Sequence, residues 1–350
     1  MENEAKKIVE LYNKANSNKE EIVLYNEDGR DFSRAEMTVL ACLAIVAREA
    51  EYSKMPALPK EVDYDEVIKI LIINSLDGKI SGLKKEKEYS NLIESYKNME
   101  MGPAYGANIV YRGMIDNFNP ILDPVYKEEV FVFENLRLRE LIRKGHIYWG
   151  CKAKRLESIL EHIYGCLVLA VGIESEYSYS IDYKKLFKML LLHETGEIKI
   201  GDLTEWDISK EEKSKKEREG VVEILSKLYG GDSLINLLDE FNLGSTLESE
   251  YANLIDKLEY DMQVKVYDDN NMYDFESYPR NVVTESNRVQ DIISRGAQSV
   301  FDVHYEYDKS RYSKLPCMRR ILEETKQFNF IQDSDKLCST TKTFVPKLKK

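Results

Sequence analysis

Histidine, cysteine and long apolar runs are what this sequence has little of. The five cysteines are odd in number and include no CxxC pair, so reduced thiols are expected rather than a disulfide framework or a structural zinc site. No stretch of ~18 apolar residues could cross a bilayer, and the start "MENEAKKIVELYNK" lacks the apolar centre of a signal peptide. The expectation is a cytoplasmic protein with no membrane partner. Basic residues are outnumbered, 50 against 62 acids, for a net charge of −12, which disfavours a large nucleic-acid surface. A chain of this charge that handles phosphate needs a metal ion or a few focused cations. With 350 residues, 43% of them hydrophobic and 32% charged, it is long enough for a substantial core and reads as globular, with one to three domains.

What is present is helical periodicity. "AEMTVLACLAIVAREAEY", "DYDEVIKILIINSL", "LESILEHIYGCLVLAVGI", "DYKKLFKMLLLHE", "KEEKSKKEREGVVEILSKLY" and "LESEYANLIDKLEYDMQVKVY" repeat apolar residues every three or four positions. Sustained alternation is scarce, so the predicted fold class is all-α. Pro, Gly and Asn interrupt the pattern at 53–62, 100–108, 117–124 and 229–233. A boundary at 117–124 divides the chain into a helical N-terminal domain (1–120), a second domain (125–310) and a C-terminal helix with a polar, basic tail (311–350). Cys42 and Cys166 lie in apolar runs, as core residues do.

The two halves share a pattern. "VDYDEVIKILI" (62–72) matches "IDYKKLFKMLL" (181–191), and "ACLAIVAREAEYS" (41–53) matches "GCLVLAVGIESEYS" (165–178) with one gap. Amphipathic helices in a chain rich in Lys and Ile resemble one another without common origin. The alternative is a duplicated helical unit, in which Thr38 stands at the place of His162 and Asn74 at that of His193. Such a first copy lacks the residues that carry chemistry.

The stretch "MLLLHETGEIKIGDLTEW" (189–206) ends an apolar helix on His193, with Glu194 beside it and Glu197 and Asp202 beyond. Acids at a helix C-terminus oppose the macrodipole, so the group asks for a cation. Asp256 follows Leu254 and Ile255 on an apolar helix, where an unpaired carboxylate is costly; an ion pair with Lys257 is the simpler reading. His162 taken alone reads as a hydrogen-bonded core residue.

Taken in order, these pieces resemble the HD-domain metal-dependent phosphohydrolases, closest to their 5′-deoxynucleotidase-like branch. The matching segments are "RKGH" (143–146), "LESILEH" (156–162), "HETGEIKIGD" (193–202), "SKEEKSKKERE" (209–219) and "DKLEYDMQ" (256–263). The resemblance covers about residues 130–310. It implies an HD helical bundle over that region, says nothing direct about the helical N-terminal domain (1–120), and implies a divalent ion (Mn, Co, Fe or Mg) held by His162, His193, Glu194 and Asp256. It also implies Glu197 as the acid/base and Asp202 near the sugar or ordering the site's hydrogen bonds. Arg143 becomes the substrate-side cation, against the alternative of a surface arginine. Two departures stand out. Glu194 replaces the family's Asp, and the pocket tryptophan gives way to His146, with Tyr148 or Trp149 as alternatives for that place.

The expected activity is release of phosphate from a small-molecule nucleotide, foremost a deoxyribonucleoside 5′-monophosphate. The alternatives are a nucleoside triphosphate, a cyclic nucleotide or a nucleic-acid end as substrate, or a non-catalytic regulatory protein with a weakened site. A homodimer is compatible with all of these.

Overall fold

The computed structural model describes residues 2–20, 22–24, 32–53, 63–97, 127–153, 155–204 and 207–330. The expected boundary at 117–124 and the tail from 331 lie outside the described residues. The described chain is helical, with a single short antiparallel pair, β1 (Ile22–Leu24) and β2 (Phe32–Ser33). Its helices are α1 (Glu2–Glu20), α2 (Arg34–Tyr52), α3 (Tyr64–Ser75), α4 (Glu86–Lys97), α5 (Lys127–Asn135), α6 (Lys144–Tyr148), α7 (Ile159–Glu176) and α8 (Tyr183–Leu192). There follow α9 (Glu197–Ile200), α10 (Lys210–Leu225), α11 (Gly231–Leu243), α12 (Leu247–Asp269), α13 (Asn287–Ser294), α14 (Val300–Asp308) and α15 (Pro316–Gln327). The all-α reading holds.

The axis of the bundle is α7. Every residue from Ile159 to Glu176 is buried, as expected of a helix apolar on nearly all sides. Ser158 starts it by accepting from the Glu161 amide, and the Glu161 carboxylate in turn accepts from the Ser158 amide, a reciprocal cap typical of such sequences. Helices α1, α2, α8 and α12 pack around it. Helices α1 and α2 and the described region after 136 therefore share one hydrophobic cluster, in which Ile8, Tyr12, Leu43, Leu167 and Leu258 are each 1% exposed or less. Each such large side chain contributes roughly 1.5–3 kcal/mol by leaving water.

The sequence match between the halves has a local physical basis. Asp63 accepts from the Glu66 amide to start α3, and Asp182 accepts from the Lys185 amide to start α8. The ends of the paired helices differ. Thr38 donates its hydroxyl to the Arg34 carbonyl at 2.8 Å and Asn74 is exposed, whereas the rings of His162 and His193 face each other with centroids 5.5 Å apart. Asp caps recur at helix starts of unrelated origin, so the duplication stays a proposal.

Candidate metal centre

Three elements deliver the four expected ligands. His162 projects from the first turn of α7, His193 is the residue that ends α8, Glu194 follows it in the turn to α9, and Asp256 sits mid-way along α12. His162 Nε2 lies 3.1 Å from Asp256 Oδ1 and 3.6 Å from Glu194 Oε1. His193 Nε2 lies 3.4 Å from Glu194 Oε1 and 3.9 Å from Asp256 Oδ1. Bonds of about 2.1 Å to a common ion produce separations of about 3–3.5 Å, close to those found here. The longer Glu194 side chain reaches the same centre that an aspartate would serve.

Both imidazoles are held from behind. His193 Nδ1–H donates to the Leu190 carbonyl at 2.8 Å, and a carbonyl can only accept, so Nε2 presents its lone pair to the centre. His162 Nδ1–H donates to Glu259 Oε2 at 2.5 Å, which turns its Nε2 the same way. This is the arrangement that orients metal-binding histidines. His193 Nε2 is buried without a hydrogen-bond partner. The donor set therefore fits a divalent ion: two nitrogens and two carboxylates aimed at one point. Cys166 Sγ is 3.6 Å from His162 Nε2, but burial pushes its thiol up to about 11, and a protonated thiol is a poor ligand.

The electrostatics point to the same place. Arg143, which precedes α6, inserts its guanidinium among the donors, 2.7 Å from Asp256 Oδ1 and 3.0 Å from Glu194 Oε1, and it also touches His162 Nε2. Burial raises the pKa of Glu194, yet Arg143 and His193 outweigh it and hold the carboxyl well below its usual range. Asp256 is likewise held low against burial, by Lys257 first and then Arg143. The Lys257 ammonium lies 2.8 Å from Asp256 Oδ2, so Asp256 both faces the centre and makes the helix-surface ion pair. Burial and Arg143 pull His162 down, but Cys166, Glu259 and Asp256 outweigh them and hold its pKa well above the ordinary value. The site attracts positive charge wherever it can be placed.

Glu197 opens α9 beside this group and is 3% exposed. Burial, followed by repulsion from Glu194 and Asp202, pushes its pKa well above the usual carboxylate range. Its Oε2 has no hydrogen-bond partner, and Lys213 of α10 approaches Oε1 at 3.8 Å. Asp202 Oδ2 accepts from the Lys144 amide at 2.6 Å and so fixes the chain on which Arg143 stands.

Two expected substrate residues are placed elsewhere. His146 is fully buried behind the site, with Nδ1 2.8 Å from the Tyr273 hydroxyl and its ring against Tyr260 and Tyr267. The residue before it is glycine because any Cβ there would overlap the Tyr260 hydroxyl. Tyr148 is 7% exposed, and its carbonyl accepts from Asn281 at 2.7 Å.

Sequence reasoning missed the layer behind His162. Glu259 Oε1 accepts from the Tyr12 hydroxyl at 2.6 Å and from Lys19 at 3.1 Å, and Lys19 also binds Glu157 at 2.8 Å and Gln263 at 2.9 Å. Burial alone would lower the pKa of Lys19, but Glu157 and Glu259 hold it above its ordinary value. Glu259 had a sequence signal, since it lies one turn along α12 from Asp256 on the same side. Lys213 lies in the charged run 209–219, where i,i+4 pairs on a solvated helix face are the ordinary outcome. Such pairs exist, as in Lys213–Glu217 and Lys216–Glu212, but Lys213 also reaches the site.

Comparison with known proteins bears on this arrangement. The family description "HD domain" matches residues 136–297. The 5′-deoxynucleotidase HDDC2 of Dictyostelium discoideum is 31% identical over 140 residues, which is 38% of this chain and 73% of that protein. The 5′-deoxynucleotidase hdd1 of Schizosaccharomyces pombe is 30% identical over 139 residues, 38% of this chain and 68% of that protein. A solved structure of a predicted metal-dependent phosphohydrolase from Magnetospirillum magnetotacticum covers 56% of this chain and 94% of its own, at 17% identity and a TM-score of 0.37, a likeness too loose to argue from. The ligand order along the chain, the convergence of those ligands and the similarity over this region agree, and the chain belongs to the HD-domain family, as a hydrolase.

Proposed function

We propose that this protein is a metal-dependent phosphohydrolase that releases phosphate from a nucleotide, with a deoxyribonucleoside 5′-monophosphate as its substrate. The observation that carries the reading is the convergence of His162, His193, Glu194 and Asp256, with both Nδ1 atoms tied down and the buried Glu197, its pKa raised by burial, beside them. The names of the relatives favour the substrate class.

A divalent ion held by the four donors would supply positive charge to the phosphoryl oxygens and lower the pKa of the attacking water. The two charges of such an ion would balance those of Glu194 and Asp256. The Arg143 guanidinium, which balances them in this structure, then serves the phosphate dianion by a charged fork. Water attacks phosphorus as the P–O5′ bond breaks, and the Glu197 proton goes to the departing oxygen. Lys213 steadies the carboxylate left behind, and Asp202 keeps Arg143 in place through the Lys144 amide.

The test is phosphate release by the full chain, loaded with Mn²⁺ or Co²⁺, from deoxy- and ribonucleoside monophosphates, a triphosphate, a cyclic nucleotide and a phosphorylated DNA end. Fastest release from deoxynucleoside monophosphates is expected. Faster turnover of another class would reassign the substrate, and no release from metal-loaded protein would overturn the hydrolytic reading.

A further inference from the structure

A second group of metal-binding side chains lies outside the site just described. His304 and Asp308 occupy positions i and i+4 of α14, so both project from one side of that helix. Helix α12 packs against it and brings Asp261 to the same place. One ligand atom from each of the three residues lies within 4.8 Å of the others. We propose that Asp261, His304 and Asp308 form a second divalent-cation site, which takes a borderline ion such as Zn²⁺ or Mn²⁺ through two carboxylate oxygens and one imidazole nitrogen.

The cluster has the marks of a prepared site. Asp261 is 0% exposed, and its Oδ1 accepts no hydrogen bond. Its other oxygen accepts from the Tyr312 hydroxyl at 2.7 Å, which fixes the carboxylate and aims Oδ1 at His304 Nδ1, 3.7 Å away. That separation is too long for a hydrogen bond and close to that of two ligands on one ion. Asp308 Oδ1 also accepts no hydrogen bond; it carries an ion pair with Arg311 at 3.0 Å, on the solvent side of the cluster. The His304 ring is held edge-on between Tyr260 and Trp149, with centroids 5.3 and 6.1 Å away. Burial pushes His304 down to about 3, so the ring is neutral and able to ligate.

Two carboxylates and a neutral imidazole suit an ion that accepts both oxygen and nitrogen, which favours zinc or manganese over calcium. The alternative is a carboxyl pair that shares one proton, since burial and then Asp308 push Asp261 well above its ordinary value. A divalent ion would replace that proton. The site is separate from the His162 centre: Asp256 and Asp261 are five residues apart on α12, about 7.5 Å along its axis and roughly 140° around it.

The deciding measurement is metal stoichiometry of the full chain, equilibrated with Mn²⁺ and separately with Zn²⁺, then gel-filtered and analysed for the element. About two ions per chain are expected in the parent protein, one in H304Q, one in H193A and none in the double variant. One ion that H193A loses and H304Q keeps would overturn the proposal. One ion that H193A keeps and H304Q loses would uphold this site and refute the His162 centre instead, and no ion in any protein would overturn both. If H304Q fails to fold, D308N carries the test. The substitution is isosteric, and at least ~10-fold weaker binding of one ion is expected, with unchanged affinity overturning the proposal.

Discussion

The two sides of the His162 ring are built on different rules. In front, Nε2 faces Asp256, Glu194 and Arg143, residue types that metal and phosphate chemistry dictate and that occur in a fixed order along the chain. Behind, Nδ1 faces Glu259, which is balanced by Tyr12 and Lys19 from α1, far away in sequence. On the proposed reading the front serves the reaction and the back holds the front in place. A motif can encode the first, because few side chains will serve. Almost any buried acid with any buried cation will serve as the second.

The largest expected effect breaks the back entirely. Deleting residues 1–120 strips α1 and α2 from an α7 that is buried along its whole length, exposing a large apolar surface. Insoluble or strongly destabilised protein is expected, and a soluble fragment with unchanged activity and thermal midpoint would show that the two sides are independent. His193→Ala removes a front ligand without touching α1. It should lose the His162-centre ion and detectable phosphate release while keeping the parent helix content by circular dichroism. Glu197→Ala should leave elemental metal content unchanged and lower turnover by ~10²–10⁴-fold, the usual scale of general acid–base catalysis. Equal loss of metal and turnover would instead make Glu197 a ligand.

Smaller effects sharpen the comparison. Lys19→Met leaves Glu157 and Glu259 buried without their cation, which should cost about 3–5 kcal/mol in denaturant unfolding, and metal titration should show affinity ~10–100-fold weaker. A stability loss with metal affinity unchanged would mean that Lys19 supports the fold alone. Glu194→Asp should be the mildest, keeping or raising phosphate release at saturating Mn²⁺. Abolished metal binding in that variant would show a centre rebuilt around the longer side chain.

The sequence disclosed the helices and the front of the site for a common reason: both obey short-range rules. Ser158, Asp182 and Thr246 start α7, α8 and α12 by local capping, and periodic apolar residues set their inner faces. The acids beside His193 drew notice by residue type, whereas His162 and Asp256 were joined to them only by the resemblance to the HD family. His146 was misplaced because position in a motif does not reveal direction; a turn of α6 carries its ring into a cage of Tyr260, Tyr267 and Tyr273. Lys19 was invisible because its value arises only when α1 folds against α7 and α12. Nothing near residue 19 anticipates Glu157 or Gln263.

Gly165 gives the centre a mechanical gauge. It lies one turn beyond His162 on α7, at the point where the Glu259 side chain of α12 rests so closely that even a methyl group would collide with its carboxylate. His162 and Asp256 stand on those same two helices. The gap that sets their spacing is thus calibrated by a residue with no functional group. A Gly165→Ala change would act like a shim driven between two jaws, moving the ligands apart while leaving every one of them in the sequence.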